Sequence, residues 1–207
     1  MLKQNTDLHG SAPDDSPAVL LIIDMINDLE FEDGEKLAAP ARAAAERIAA
    51  LKRRAKAQGM AVIYCNDNFG RWRSDFREVV DRVLGDGVRG ESLARLLIPD
   101  DDDYFVLKPK HSAFFETTLE TLLRYLGAKR LILTGITGDI CVLLTASDAY
   151  MRDYEIYVPR DCTASVTPEE NEHALAYMER VLKVKVACER ELDVAELMSV
   201  NSEEPTQ

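Results

Sequence analysis

Short apolar runs alternate with helical patterns along most of the chain, and this alternation limits the possible folds more than any other feature. The first run, from Ala18 to Asp24, reads AVLLIID and is apolar up to its final aspartate, as expected of a strand covered on both faces. Strands separated by helices form a mostly parallel sheet with the helices on its faces. The sequence therefore predicts an α/β fold in three layers.

The pattern places six strands and the helices between them. The strands are predicted at about 18–24, 61–66, 104–108, 130–135, 155–159 and 185–188. Helices are predicted at about 37–58, 76–84, 92–97, 119–126, 139–152 and 194–197. A further helix begins at Pro168, behind a capping box formed by Thr167 and Glu170. The polar ends, residues 1–17 and 199–207, are predicted to be tails on one domain of residues 18–198.

Charge and hydropathy argue against several classes of partner. The 207 residues carry a formal net charge of −12, whereas binding to nucleic acid or to an anionic membrane needs clustered lysine and arginine. No apolar stretch approaches the roughly 20 residues that cross a bilayer. The N-terminus lacks the basic-then-apolar order of a secretory signal. We therefore expect a cytoplasmic protein that binds neither nucleic acid nor membrane.

The spacing of the cysteines argues against two common uses of this residue. Cys65, Cys141, Cys162 and Cys188 form no C-x-x-C pair, so neither a zinc site nor a disulfide framework is indicated. Each thiol is then either buried or reactive. Cys65 and Cys188 fall in predicted strands and are expected to be inert, and for Cys162 a buried position is favoured over a resolving thiol.

Polar residues and a glycine stand where several predicted strands end. They are Asp24, Asn66, Asp67, Lys108 and Gly135. In folds of this kind a ligand binds at the carboxyl ends of the strands, near the switch in strand order. We therefore expect these residues to converge on one site although they are far apart in sequence.

The segment GITGDIC, residues 135–141, joins the fourth strand to a helix and places Cys141 in or near the first turn of that helix. Backbone N–H groups at a helix start stabilise a thiolate and can bind an oxyanion. A nucleophilic cysteine also needs a base and a balancing charge, for which Asp24 and Lys108 are suitable. Each residue also has a purely structural reading, with Cys141 in the core, Asp24 in a turn and Lys108 on the surface. The residues alone leave both readings open.

Three segments together resemble the signatures of the isochorismatase-like cysteine hydrolase family. They are LLIIDMIND (20–28), VLKPKHSAFFETTL (106–119) and LILTGITGDICVLLTASDA (131–149), in the order found in that family. The resemblance implies a Rossmann-like three-layer sandwich whose six-stranded parallel sheet has the order 3-2-1-4-5-6. It also implies a homo-oligomer, either a dimer or a tetramer.

The resemblance further implies a catalytic triad of Asp24, Lys108 and Cys141, and a cis peptide bond between Ile136 and Thr137 that turns a backbone N–H toward the oxyanion. In the implied mechanism Asp24 takes the proton from Cys141, and Lys108 stabilises the charged pair. The thiolate attacks a carbonyl or imine carbon, ammonia or an amine leaves, and water cleaves the thioester. The N–H groups of about Thr137 and Cys141 bind the oxyanion.

The sequence differs from parts of the family pattern. Ile26 stands where members often carry glutamine, so a polar contact behind the site is lost. No histidine follows the second strand, where nicotinamidase-type members bind a metal, so neither a metal nor another cofactor is expected. Members that cleave the vinyl ether of isochorismate tend to lack the cysteine, so Cys141 favours C–N hydrolysis.

Side chains after the second and third strands are candidates for contact with a small-molecule substrate. The predicted pocket residues are Asn66, Asp67, Phe69, Trp72 and Phe114. Arg71 or Arg73 could clamp a substrate carboxylate. For Trp72 an equal alternative is an anchor beneath the loop or at a subunit contact.

We therefore predict a metal-independent cysteine hydrolase that cleaves a C–N bond of a small amide, carbamoyl or ureido compound through a thioester on Cys141. Two alternatives stay open. One is an isochorismate-type vinyl-ether hydrolase in which Asp24 acts without the thiol. The other is a small-molecule binding protein that keeps the fold without catalysis. A thiol redox protein is disfavoured because no second cysteine is adjacent in sequence.

Overall fold

A seven-stranded parallel sheet runs through the part of the chain that the computed structural model describes, residues 15–68 and 75–199. The strands are β1 (Ala18–Ile23), β2 (Ala61–Asp67), β3 (Tyr104–Lys108), β4 (Arg130–Ile136), β5 (Glu155–Pro159), β6 (Thr163–Ala164) and β7 (Lys185–Ala187). Their order is β3-β2-β1-β4-β5-β7, and β6 pairs with β4 off this path. β1 and β4 are neighbours at the centre of the sheet. The sheet extends from β1 through β2 and β3 on one side, and from β4 through β5 and β7 on the other.

β1 lies in the middle of the sheet because it is apolar along its whole length. Its residues have no exposed surface, and their side chains alternate between two cores, with Ile22 on one face and Ile23 on the other. β2 and β4 flank it, so that Ile23 is level with Cys65 and Gly135. The residues that follow these three strands are therefore brought to the same edge.

Helices cover both faces of the sheet. They are α1 (Gly34–Ala57), α2 (Phe76–Gly85), α3 (Glu91–Ala94), α4 (Leu119–Tyr125), α5 (Leu143–Tyr150), α6 (Pro168–Leu182) and α7 (Val194–Met198), with 3₁₀ turns at Arg95–Leu97, Arg160–Cys162 and Glu189–Glu191. The first three helices and α7 pack on the face that carries Ile22. α4, α5 and α6 pack on the face that carries Ile23. Among the described helices, none combines the length and the apolar character needed to cross a bilayer.

The predicted fold class and strand order are confirmed, and the predicted number of strands is wrong by one. β6 has only two residues, which pair with Gly135 and Ile136 of β4. So short a strand shows no alternation in the sequence. The predicted sixth strand corresponds to β7. The helix predicted at 139–152 is a π-helical turn over Gly138–Val142 that continues into α5.

The folded part begins before the predicted boundary at Ala18. Ser16, within the predicted N-terminal tail, is buried, and its hydroxyl donates to the Ala18 carbonyl at 2.7 Å while accepting the Ala61 N–H at 2.9 Å. Its own N–H donates to the Leu126 carbonyl at 2.8 Å. Residues 1–14 and 200–207 lie outside the described residues.

Candidate active site

Three reactive side chains meet at the carboxyl ends of the central strands. Asp24 follows β1, Lys108 ends β3, and Cys141 lies in the π-helical turn after β4. The Lys108 Nζ lies 2.8 Å from Asp24 Oδ2 and 3.7 Å from Cys141 Sγ. The structure thus brings together the three residues that the sequence resemblance singles out, with the ammonium in contact with both the carboxylate and the sulfur.

The Asp24 carboxyl group is held by backbone groups of the neighbouring strand. The backbone N–H of Asp24 donates to the Cys65 carbonyl at 2.9 Å, and the carboxylate Oδ1 of Asp24 accepts the Asp67 N–H at 2.7 Å. The φ of Asp24 is +53°, in the left-handed region that aspartate adopts more readily than most residues. These contacts fix Oδ1 and leave Oδ2 directed at Lys108.

Lys108 is a buried cation, so the alternative in which this lysine lies on the surface is wrong. Its side chain has no exposed surface. An unpaired buried ammonium would be very unfavourable, and here Asp24 lies at 2.8 Å and Asp67 Oδ2 at 3.8 Å. Asp67 and Lys108 are aligned in the pairing of β2 with β3, so both side chains lie on the same face of the sheet.

The turn that holds Cys141 follows β4, which has one position near its end where only glycine fits. At Gly135 the φ is +118°, and a Cβ there would lie 2.0 Å from the Ile23 carbonyl oxygen, so β4 can approach β1 this closely only without a side chain. The peptide bond between Ile136 and Thr137 is cis. The Thr137 carbonyl accepts the N–H groups of Ile140 and Val142, at 3.3 and 3.1 Å, and these hydrogen bonds close the turn around Cys141.

Polar residues that the sequence analysis missed support this turn from behind. Ser165 Oγ accepts the Asp139 N–H at 3.2 Å and lies 3.4 Å from Asn171 Oδ1. A Cβ at Gly138 would lie 2.1 Å from that Asn171 oxygen, so the backbone packs directly against the amide. Asn171 lies in the first turns of α6, and no local pattern connects it with the turn. Only the three-dimensional packing of α6 reveals this support.

The electrostatics keep Cys141 protonated at rest. Burial and the Asp24 carboxylate raise the pKa of the Cys141 thiol to about 12, although Lys108 opposes them. Burial would lower the pKa of Lys108, but Asp24 and Cys141 outweigh it and the pKa is raised above 10.5. The position near a helix start predicted a stabilised thiolate. The buried surroundings dominate instead, so the thiol form prevails over the thiolate.

Burial also raises the pKa of the Asp24 carboxyl above its ordinary value of 3.8, although Lys108 lowers it in part. A carboxyl group with a raised proton affinity is a better base for a thiol proton than an exposed aspartate. Burial likewise raises the pKa of Cys65 and of Cys162, so what sets Cys141 apart from these thiols is its contact with Lys108 and not the direction of its pKa shift.

The predicted pocket residues divide into three groups. Asp67 lies beside Lys108 as expected. Asn66 is fully buried and donates to the Ile26 carbonyl at 2.7 Å, and its alternation with Asp67 puts it on the opposite face of the sheet from Lys108. Phe114 is buried in the core beneath Arg152, whose Cζ lies 4.9 Å from the ring centre. A pocket-wall role for Asn66 and Phe114 is therefore not supported.

Four other residues named for the pocket cannot be placed. They are Phe69, Arg71, Trp72 and Arg73, all outside the described residues.

One cluster of carboxylates among the described residues has the spacing of metal ligands. It consists of Asp100, Asp102 and Asp103. The Lys56 Nζ contacts all three, at 2.9, 2.5 and 2.9 Å. A lysine ammonium thus takes the place that a metal ion would need, and the cluster does not fit a metal site.

The matches to known proteins cover most of the chain. The model of the isochorismatase domain matches residues 18–188, a range that contains Asp24, Lys108 and Cys141. The Bacillus subtilis protein YaaI, described as an uncharacterized isochorismatase family protein, is 44% identical over 173 residues. This alignment covers 84% of the chain and 94% of YaaI.

Solved structures share the same architecture. An isochorismatase family protein from Desulfovibrio vulgaris superimposes with a TM-score of 0.70 and 26% identity, over 86% of this chain and 97% of the other. An N-carbamoylsarcosine amidase from Thermoplasma acidophilum superimposes with a TM-score of 0.60 and 27% identity, over 85% and 98% of the two chains.

Proposed function

The chain belongs to the isochorismatase family of hydrolases, and on that premise we propose that it is a metal-independent cysteine hydrolase acting on a C–N bond. The substrate class is a small amide, carbamoyl or ureido compound. No imidazole occurs in residues 67–70, so the segment after β2 lacks the ligands that zinc or iron prefers.

The observation that carries the proposal is the contact of Lys108 with both Asp24 and Cys141. The ammonium lies 2.8 Å from the carboxylate and 3.7 Å from the sulfur. When the thiol proton passes to Asp24, the negative charge moves from the carboxylate to the sulfur. Lys108 contacts both ends of that movement, so the site keeps its charge balance without water.

The first half-reaction forms a thioester. The Cys141 proton passes to Asp24 as the sulfur attacks the carbonyl carbon of the substrate. The resulting tetrahedral intermediate carries its negative charge on oxygen. As it collapses, the C–N bond breaks and the leaving nitrogen takes the proton from Asp24, so that ammonia or an amine departs.

The second half-reaction uses water. Asp24, again a carboxylate, takes a proton from the water that attacks the thioester. The C–S bond then breaks, the acid product leaves, and the sulfur recovers its proton from Asp24. One water is consumed, and the resting thiol is restored.

Backbone N–H groups of the turn around Cys141 supply the oxyanion site in this proposal. Three N–H groups of the turn are already committed: Ile140 and Val142 donate to Thr137, and Asp139 donates to Ser165. We assign the oxyanion to the N–H groups of Thr137 and Cys141. Donors on a packed turn need no rearrangement as the charge develops.

The similarity to an N-carbamoylsarcosine amidase supports the substrate class. That protein shares the fold over 85% of this chain at 27% identity, and its name specifies hydrolysis of a carbamoyl compound. We carry over the reaction class, C–N cleavage, and not the individual substrate.

Vinyl-ether hydrolysis is the alternative, and the raised pKa of Asp24 suits an acid as well as a base. In that reaction the protonated form of Asp24 would donate to the vinyl carbon without help from sulfur. Replacement of Cys141 by alanine separates the two reactions, because only C–N cleavage needs the thiol.

The test is ammonia release from a panel of amides, N-carbamoyl amino acids and ureido acids, together with hydrolysis of isochorismate. We expect turnover of at least one C–N substrate. The Cys141→Ala variant should lose this turnover by about 10³-fold or more, and Cys188→Ala, which removes a partly buried thiol after β7, should retain it. Undiminished C–N cleavage by Cys141→Ala would contradict the thioester mechanism. Ligand binding without any turnover would favour the binding protein.

A further inference from the structure

The side chain of Thr145 joins the two segments that carry Lys108 and Cys141. Thr145 lies in α5 and has no exposed surface. Its hydroxyl donates to the Cys141 carbonyl at 2.7 Å and accepts the Ala113 N–H at 3.0 Å. Ala113 belongs to the segment that leaves β3 directly after Lys108. One hydroxyl therefore bonds the backbone on both sides of the lysine–sulfur contact.

A threonine hydroxyl that bonds the carbonyl one turn back is common in helices and has no functional meaning by itself. Ser147 makes such a bond to the Leu143 carbonyl at 2.9 Å on the same helix. Thr145 differs because its hydroxyl also accepts an N–H from another element. The Thr145 hydroxyl thus donates one hydrogen bond and accepts another, and the Ala113 N–H that it accepts is buried.

A second tie joins the same two segments farther along the helix. Ser112 Oγ donates to Asp148 Oδ2 at 2.5 Å and accepts the Phe114 N–H at 3.2 Å. Asp148 is in turn paired with Arg152 at 3.1 Å. Thr145 is the member of this set nearest to Cys141, and it is the one that bonds the backbone of the reactive residue itself.

We propose that Thr145 is a positioning residue, whose hydroxyl holds the Lys108 segment and the Cys141 turn at the separation that the lysine–sulfur contact requires. The Nζ–Sγ distance is 3.7 Å. The chain connects the two residues only through residues 109–140, so noncovalent contacts must set this distance. A change of about 1 Å in such a contact is enough to lower a rate about 10²-fold.

The proposal predicts how the thiol responds when the hydroxyl is removed. Lys108 is the group that counteracts the raised pKa of Cys141, so a longer Nζ–Sγ distance leaves less thiolate at any given pH. Below its pKa, each unit of increase in the thiol pKa lowers the thiolate fraction about tenfold. The reactivity of Cys141 thus reports the position of Lys108 without any substrate.

The experiment compares Thr145→Val, which keeps the shape and removes the hydroxyl, with Thr145→Ser, which keeps the hydroxyl. Iodoacetamide alkylation of each cysteine is followed by peptide mass spectrometry at several pH values near 9. We expect Cys141 to react about tenfold more slowly in the valine variant and within about threefold of wild type in the serine variant. The buried Cys65 and Cys162 should stay unreactive, which shows that the protein remains folded.

Thr134→Val is the matched control. Thr134 is also fully buried, and its hydroxyl donates to the Leu21 carbonyl at 2.8 Å, within the sheet. It should lose thermal stability comparable to that lost by Thr145→Val and leave Cys141 alkylation unchanged. Equal Cys141 reactivity in wild type and Thr145→Val, or an equal loss of Cys141 reactivity in both valine variants, would overturn the proposal. If Thr145→Val does not fold, Thr145→Ala removes the same hydroxyl and adds no methyl group in its place, and an unchanged Cys141 rate in that variant would overturn the proposal in the same way.

The catalytic part of the proposal rests on the proposed function, and the alkylation part does not. With a substrate in hand, Thr145→Val should lower kcat about 10–100-fold with KM within about twofold, and Thr145→Ser should restore kcat. If no C–N substrate is found, the proposed function fails while the alkylation result still decides the role of Thr145. If turnover is found and Thr145→Val leaves both kcat and alkylation unchanged, only the positioning role fails.

Discussion

Lys108 has the most constrained surroundings of any residue in the site. Its ammonium is fully buried, and its nearest charged neighbours are Asp24 at 2.8 Å and Asp67 at 3.8 Å. Because the pKa of Lys108 is raised above 10.5, the lysine stays charged through the range in which Asp24 changes its protonation. In the proposed mechanism the acid and base roles therefore fall to Asp24 and Cys141 alone.

The pH dependence of kcat/KM follows from these directions. Protonated Asp24 cannot accept the thiol proton, so the rate should rise with pH through the pKa of Asp24, which burial places above 3.8. No alkaline fall should follow below pH about 10, because Lys108 keeps its proton there. A rate profile on any active substrate measures both limbs. An acid limb at or below the ordinary aspartate value, or a fall beginning near pH 8, would contradict the assignment.

Gly135 is the second residue with a sharp requirement. A Cβ at this position would lie 2.0 Å from the Ile23 carbonyl, at a φ of +118°. Gly135→Ala should therefore lower the free energy of unfolding by at least about 3 kcal/mol, measured by urea denaturation. Gly59→Ala is the control, since its φ of +74° is also positive but no atom lies within 4 Å of the added Cβ. It should cost about 1–2 kcal/mol. Equal losses would show that the close approach to β1 is unimportant.

At the scale of elements, α1 is tied to the chain before β3 by a buried ion pair. Lys52 Nζ lies 2.5 Å from Asp103 Oδ2, and the two side chains are 9% and 2% exposed. The same ammonium donates to the Tyr64 hydroxyl at 3.1 Å and to the Ile98 carbonyl at 3.2 Å. This network orders the entry into β3 and hence the strand that ends in Lys108.

Asp103→Asn should lower the free energy of unfolding by about 2–4 kcal/mol, because it leaves the buried Lys52 with weaker compensation. Asp102→Asn should cost less than about 1 kcal/mol, because that carboxylate is 53% exposed in its pair with Lys56. Chemical denaturation of the two variants gives the comparison. Similar losses in both would mean that the buried pair contributes no more than a surface contact.

The sequence was sufficient for elements whose pattern is long and local. The apolar run of β1 and the capping box of Thr167 with Glu170 predicted their elements because each signal lies within the element itself. β6 escaped prediction because its two residues carry no period and owe their conformation to pairing with β4.

Contacts between distant segments explain the other differences. Asn66 is the last residue but one of β2 and lies at the expected edge, but the alternation of side chains turns it away from Lys108. Asn171 and Thr145 support the turn around Cys141 through bonds that no sequence period encodes. The protonated state of Cys141 likewise depends on burial, which outweighs the helix-start effect visible in the sequence.

At the scale of the whole molecule, apolar side chains remain exposed along the turn that carries Cys141 and along α5. Ile140, Leu144 and Met151 recur at helical spacing along the turn and α5, and they are 41%, 41% and 69% exposed. Tyr177 of α6 is exposed as well. Apolar patches of this kind mark contact surfaces more often than isolated exposed residues do. They are consistent with the homo-oligomer expected from the family resemblance, which stays a prediction.

Light scattering coupled to size-exclusion chromatography should find a dimer or a tetramer at micromolar concentration. If α5 forms the contact, Leu144→Glu should shift the protein toward the monomer, because a stable interface of about 800 Å² per partner cannot accommodate an unpaired charge at its centre. Tyr125→Glu is the control, because it introduces the same charge at an exposed position at the end of α4. The next residue, Leu126, accepts a hydrogen bond from Ser16 at the opposite edge of the sheet. This variant should keep the oligomer mass of the wild-type protein. A monomeric wild-type protein would contradict the predicted oligomer, whereas an unchanged oligomer in Leu144→Glu would show that the contact does not involve α5.

The kinetics of Leu144→Glu test whether the partner subunit borders the site, since Ile140 directly precedes Cys141. A shift to the monomer should change KM if the partner borders the site, and should leave KM unchanged if each subunit acts alone.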